Sequence, residues 1–275
     1  MNTRHQRIAR DRPADWKLPP GVAPGTWDYA HSDWIASDYD QFLANTPLAK
    51  NDLQWLVRIL PPATSPGQLV ADLGCGTARS APPLQTLGYR LLGIDLSQDM
   101  LAQALRVGRD WSPETSPLLL RANLVSLDCL AAGSVDHAIC LFSTLGMVRG
   151  RKNRRRVLTH VSRILRPGGK FLLHVHNRWA PLRDPGGWRH LWSSWRRSRR
   201  DKQADFGDRV YAYRGLPNMF LHSYGRLELT RDLKAAGLQV DQLKPLAVTG
   251  EGLLKNGWFA GGLRAGGFLA IASKV

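Results

Sequence analysis

Carboxylates are scarce in this chain: 22 Asp and Glu stand against 38 Lys and Arg, a formal net charge of +16 over 275 residues. An excess of that size points to polyanionic partners rather than to an evenly balanced surface. Cysteine is scarcer still. Cys75, Cys129 and Cys140 are odd in number and lack metal-ligand spacing, which argues against a disulfide framework or a zinc site. Reduced thiols in a cytoplasmic protein are the expectation, with no metal. No run approaches eighteen apolar residues, so no transmembrane segment is expected. The first ten residues carry charge but no apolar stretch and do not read as a secretory signal. No internal repeat is visible. The 43% apolar content suffices for one core, so a single domain with additions is expected.

What is present begins at Val70-Ala-Asp-Leu-Gly-Cys-Gly-Thr77. The apolar run reads as a buried parallel strand ending in a carboxylate, then a tight turn through Gly74 and Gly76. A helix follows, in which Pro82 and Pro83 are tolerable only in the first turn, and Gly88 stops it. A second strand, Tyr89 to Ile94, delivers Asp95 to its carboxyl end, where open α/β sheets bind ligands. A dinucleotide requires Gly-x-Gly-x-x-Gly, and the third glycine, counted from Gly74, falls on Arg79. The competing ligand, S-adenosylmethionine, carries no phosphate and calls for acceptors: Asp72 for its ammonium and Asp95 for its ribose hydroxyls.

Asp72-Leu-Gly-Cys-Gly-Thr resembles the first motif of class I S-adenosylmethionine-dependent methyltransferases, and Gly93-Ile-Asp95-Leu-Ser-Gln-Asp-Met-Leu resembles their second. Leu165-Arg-Pro-Gly-Gly-Lys-Phe-Leu-Leu is similar to the family's approach to the fifth strand. The similarity covers roughly residues 40 to 175, and Gly266 to Ser273 more loosely. It implies a doubly wound, Rossmann-like α/β fold with a seven-stranded, mostly parallel sheet. The implied cofactor contacts are Asp72, Gly74, Gly76, Asp95, Met100 packing on adenine, and Asn123, whose amide carbonyl would accept from the adenine amine.

Periodicity places the remaining elements. Residues 1 to 60 divide into a loose basic arm (to about 25) and helices that cover the cofactor, with Tyr39 the substrate-side candidate the resemblance points to. Residues 61 to 275 are expected to form the methyltransferase domain that the resemblance implies. Helical spacing recurs over Asp99 to Arg109, Arg154 to Leu165 and Arg226 to Ala236. Further strands are expected at Pro117 to Arg121, Val135 to Phe142, Phe171 to His176, Gln239 to Val248 and Phe268 to Ser273. Between Asn177 and Gly225 the periodicity is lost. A connection this long, after the fifth strand, is expected to be a functional insertion on the substrate side.

Methyl transfer needs alignment more than it needs a base. The candidates lie after the fourth and fifth strands and before the helix at 226: His176, Asn177 and Tyr224 as catalytic groups, Ser143 and His222 as substrate contacts. Arg149 to Arg209 contains 18 Lys or Arg against four Asp, nearly all of the net charge. The cations at 149–156 lead into a helix N-terminus, where the macrodipole disfavours them, which suggests an external anion. Trp188, Trp192 and Trp195 recur at helical spacing among arginines, which fits a solvated basic lid first, then a nucleic-acid reader or a helix lying on an anionic membrane surface. An Arg-rich insertion with Leu221-His222 and Glu228-Leu is loosely similar to methyltransferases that esterify carboxymethyl groups on wobble uridine of tRNA. RNA, tRNA in particular, is therefore the favoured acceptor and partner through residues 149–209. A small-molecule or lipid acceptor, and a catalytically silent RNA-binding protein, are the alternatives.

Overall fold

The computed structural model describes residues 12–275 except Gly108. Seven strands form one sheet in the order β3-β2-β1-β4-β5-β9-β8, where β1 is Leu69–Leu73, β2 Arg90–Asp95, β3 Leu118–Arg121, β4 His137–Cys140, β5 Lys170–His176, β8 Leu238–Leu246 and β9 Gly267–Lys274. The first five run parallel, whereas β9 is antiparallel to both β5 and β8. The α/β architecture expected from the sequence is thus present, with ends shifted by a few residues. β4 is shorter than its apolar run, because Phe142 and Ser143 both adopt positive φ (51° and 63°) and turn the chain off the sheet.

Strand alternation sorts the core into two layers. Ala71, Leu73, Phe171 and Leu173 face the helices Arg151–Ile164 and Arg226–Ala235. Val70, Ile139 and Leu172 face the other side, against Leu56, Leu60 and Leu84 of the helices Pro47–Ile59 and Ala81–Thr86 and of their flank. Pro82 and Pro83 do occupy the first turn of their helix. The chain order reverses between β1 and β4, and this switch point opens a crevice at the carboxyl ends of the strands.

Residues 1–11, the outer half of the expected arm, lie outside the described residues. The inner half is packed rather than loose. Val22 and Ala23 are buried, and the Arg149 amide donates to the Gly21 carbonyl at 2.8 Å. Only glycine fits at 21: φ is 77°, and a Cβ there would approach Val125 at 2.8 Å. Helices Pro24–Ala30, Asp33–Ser37 and Tyr39–Ala44 follow.

The insertion at 177–225 is ordered, contrary to its lost periodicity. It holds a helix, Gly187–Arg200, and a hairpin of β6 (Asp208–Tyr213) and β7 (Leu216–His222). Arg214 and Gly215 turn that hairpin with φ of 47° and 82°, the left-handed pair that suits tight hairpins. The helix buries only Gly187, Leu191 and Ser194, so its largest apolar side chains mark the outward face and mislead a search for a core stripe.

Candidate functional site

The glycine turn after β1, Asp95 at the end of β2, Ser143 and Thr144 after β4 and His176 at the end of β5 converge on one cavity of about 320 Å³. That is within the range of small-ligand sites. Gly74 must be glycine, since φ is 81° and a Cβ would lie 2.3 Å from Thr144 Cγ2. β1 and the β4 loop therefore touch directly, and the turn stays open toward the cavity.

Asp95 is held from both sides: the Gly76 amide donates to Oδ2 and the Ser97 amide to Oδ1, each at 2.8 Å. Burial nevertheless raises its pKa. Each oxygen keeps a lone pair for a further donor in the cavity. Leu96, Met100 and Leu124 supply an apolar wall beside it. Asn123 also lines the cavity, but its amide is engaged: Nδ2 donates to the Pro20 carbonyl at 2.9 Å, and Oδ1 accepts from the Val125 amide at 3.0 Å. Asp72 sits under the turn instead of on the wall, accepting from the Ser80 hydroxyl. Burial, reinforced by the nearby charge of Asp95, pushes its pKa up to about 7.

The opposite wall is aromatic. Tyr29, Tyr39 and Phe42 from the N-terminal helices meet Tyr211 and Tyr213 from β6, with Met219 and Leu221 from β7. Burial raises the pKa of both Tyr29 and Tyr39, so both phenols are neutral. Sequence reasoning marked Tyr39 and missed the hairpin pair, although the i, i+2 spacing of Tyr211 and Tyr213 is a strand-face signal. His176 lines the cavity as a neutral imidazole, because burial, then His174 and Arg209, lowers its pKa to about 3. His174 turns away and pairs with Asp52 at 2.8 Å.

Three candidates lie outside the cavity. Asn177 is a buried loop staple: Nδ2 donates to the Gly262 and Ala265 carbonyls at 3.0 and 2.7 Å, and Oδ1 accepts from the Trp179 amide at 3.2 Å. The His222 nitrogens face Asp208 at 2.6 Å and Glu228 at 3.2 Å. Tyr224 is fully buried, with Arg154 over its ring at 5.7 Å. Sequence position put these residues near a strand end, but Asn177 turns into a loop staple and His222 and Tyr224 turn toward buried charged groups.

His222 and Tyr224 there meet a charge network that takes up part of the basic segment. Arg154, itself 0% exposed, pairs with Asp205 at 2.8 Å, while Arg151 and Arg155 share Asp232 at 3.0 and 2.8 Å. Arg178 pairs with Glu228. The Arg151 amide donates to Asp205 at 2.8 Å, so a carboxylate sits at the helix N-terminus, and Arg151, Arg154, Arg155 and Arg156 each meet a carboxylate of the same chain. Among the described residues, Asp205, Asp208 and His222 also bring metal-ligand atoms within 4.8 Å of one another. Arg154 and Glu228 already engage that group, which makes it an ion-pair centre. Asp205→Ala strands the buried Arg154 guanidinium and is expected to cost about 3–5 kcal/mol. Denaturant melts of the two proteins measure it.

A family profile described as a methyltransferase domain matches residues 71–173. The chain is 27% identical over 143 residues to the putative methyltransferase YqeM of Bacillus subtilis, covering 52% of this chain and 54% of that protein. It thus spans about half the length of the curated relatives it matches. Among solved structures, a SAM-dependent methyltransferase of Methanosarcina mazei superposes with a TM-score of 0.59 at 21% identity, covering 77% of this chain and 94% of that one. The 1,6-didemethyltoxoflavin-N1-methyltransferase of Burkholderia thailandensis, with bound 1,6-didemethyltoxoflavin and S-adenosylhomocysteine, superposes at 0.58 with 16% identity over 94% of this chain and 93% of that one. With the ordered motifs of β1, β2 and β5 on a sheet of this topology, residues 71–173 carry a methyltransferase domain, and the chain is similar to class I S-adenosylmethionine-dependent methyltransferases.

Proposed function

We propose that this protein transfers a methyl group from S-adenosylmethionine to a small, apolar acceptor carrying an aromatic or conjugated face. One observation carries the reading: no Lys or Arg is among the described residues lining the cavity, and its single carboxylate is Asp95. A pyrophosphate would find no countercharge there. A sulfonium nucleoside meets acceptors and apolar walls, so the donor set fits the phosphate-free cofactor. Asp95 would take the two ribose hydroxyls, Met100 and Leu124 the adenine faces, and the open turn at Gly74 and Gly76 the amino-acid tail, with the buried carboxyl of Asp72 below it. Asn123 would meet the adenine amine through Oδ1, which accepts from the Val125 amide and keeps a second lone pair.

When bound, the cofactor supplies an electrophilic methyl whose displacement needs an in-line nucleophile. The aromatic wall would hold the acceptor and exclude water, and alignment of this kind is worth about 7–11 kcal/mol when the geometry is good. His176, neutral and only weakly basic, would orient the acceptor by a hydrogen bond rather than strip a strongly held proton. Ser143, buried on the same wall and accepting from the His176 amide at 3.2 Å, would fix that strand end. The Burkholderia enzyme, with its bound acceptor, is consistent with a small molecule in such a site. An RNA acceptor, the reading favoured by charge, is weaker here, because no Lys or Arg is among the described residues lining the cavity and four of the 149–156 cations are paired within the chain.

The deciding experiment incubates the protein with methyl-labelled donor and, in parallel, total RNA and an organic-solvent extract of cells. Label in the extract and none in RNA is expected. Label in tRNA would overturn the acceptor assignment, and tight RNA binding with no transfer anywhere would favour the silent binding protein. In the same assay, His176→Ala is expected to lower turnover about 10- to 100-fold while leaving donor affinity within about twofold, the pattern of lost orientation. Unchanged turnover would remove His176 from the site.

A further inference from the structure

The exposed face of the helix Gly187–Arg200 is the largest feature the methyl-transfer reading leaves unused. Its inner face is fixed to the hairpin. The Ser194 hydroxyl accepts from the Gly207 amide at 3.2 Å, and Arg197 donates to the Asp208 carbonyl at 2.8 Å. Its outer face presents Trp188, Trp192 and Trp195 at 60%, 53% and 42% exposure, spaced i, i+4, i+7 along one stripe about 10 Å long. Arg189, Arg196 and Arg199 lie over these three rings, at 5.4, 4.5 and 5.5 Å from the ring centres. The helix carries five arginines and no acid.

Scattered single apolar residues are normal on a protein surface, but three indoles in a row with a cationic rim are not. The helix macrodipole accounts for Arg197, Arg199 and Arg200 in the last turn. It accounts for neither Arg189 and Arg196 nor the indoles. We propose that this face docks the protein onto an anionic phospholipid bilayer, with the indoles at the headgroup boundary and the guanidinium groups on lipid phosphates. The occupant follows from charge and shape. A helix with only cations complements an anionic surface, and its stripe is convex, as an interfacial helix lying in the plane of a membrane requires. Single-stranded RNA would instead need a groove that tracks its backbone and indole faces free for stacking. Here an arginine already covers one face of each ring. The helix is tied to β6, whose partner β7 contributes Met219 and Leu221 to the cavity, so docking would bring the cavity wall toward the lipid.

The test is sedimentation of the full chain with vesicles of phosphatidylcholine alone and with about 30% phosphatidylglycerol, with no methyl donor present. Its outcome is therefore independent of the acceptor assignment. Strong binding to the anionic vesicles, weak binding to the neutral ones and loss on adding salt are expected. The triple substitution Trp188→Ser, Trp192→Ser and Trp195→Ser should lower partitioning about tenfold or more, with an unchanged thermal melt because all three side chains are exposed. Replacing Arg196, Arg199 and Arg200 with Gln should abolish the preference for anionic lipid. Absence of vesicle binding, or binding indifferent to the indole substitutions, overturns the proposal. So does binding of tRNA through the same indoles while vesicles are ignored.

Discussion

Asp95→Ala is expected to leave a folded protein whose affinity for S-adenosylmethionine falls a hundredfold or more, measured by titration calorimetry. Among the described residues the carboxylate is the one charged group on the cavity wall, and both oxygens are already oriented by the Gly76 and Ser97 amides at 2.8 Å. Two ribose hydroxyls donating to it would each make a charge-assisted bond, worth about 1.5–3 kcal/mol. Losing both is about two powers of ten or more in affinity. Alanine also leaves two amides without an acceptor, so some stability is lost too. Asp95→Asn separates the effects: it keeps one acceptor oxygen and should lose affinity by about tenfold with a smaller change in Tm. If both variants bind the donor as the parent does, the ribose assignment fails and with it the reading of the cavity.

Asp72→Asn is expected to do the opposite to stability. Burial, assisted by the charge of Asp95, moves the Asp72 pKa from 3.8 to about 7. Below about pH 4 the group is neutral in both folded and unfolded chains and has no effect. As pH rises the unfolded carboxyl ionises first, so the unfolded state is favoured progressively until the folded group ionises near 7. Stability is therefore present at low pH and lost between about 4 and 7, by roughly 4 kcal/mol as an upper figure. Asparagine cannot ionise, yet it keeps an acceptor for the Ser80 hydroxyl. At about pH 8 the variant should melt several degrees higher, given roughly 2–4 °C per kcal/mol at this size, and the gain should vanish near pH 4. Donor affinity should fall in the same variant, because a negative charge beneath the amino-acid tail is gone. A variant that melts like the parent at every pH would mean that Asp72 is ionised without penalty.

These two carboxylates were legible because strand periodicity and glycine turns act locally. Asp72 and Asp95 end apolar runs, and a parallel strand fixes where its last residue points. The same logic reached His176, whose backbone position and side-chain direction agree. It did not reach Asn177, His222 and Tyr224, which stand at the right place along the chain but aim their side chains into loop staples and the ion-pair centre. The basic segment shows the limit most clearly. Arg151, Arg154 and Arg155 look free in the sequence because their partners, Asp205 and Asp232, are more than fifty residues away. Arg196 and Arg199 look the same in sequence yet stay at the surface over tryptophan rings. The insertion showed its helix only in the tryptophan spacing, as a stripe that faces outward, and its hairpin went unread.

The sequence alone determined the sheet, its glycine turn and a cofactor without phosphate, since each depends on spacing within about twenty-five residues and on side-chain chemistry. Tertiary structure decided which cations remain exposed, which histidine faces the cavity and that one wall of the cavity is aromatic. Those outcomes depend on pairing between distant segments, Tyr39 with Tyr213 across one cavity and Arg154 with Asp205 behind it, and no local pattern encodes such meetings.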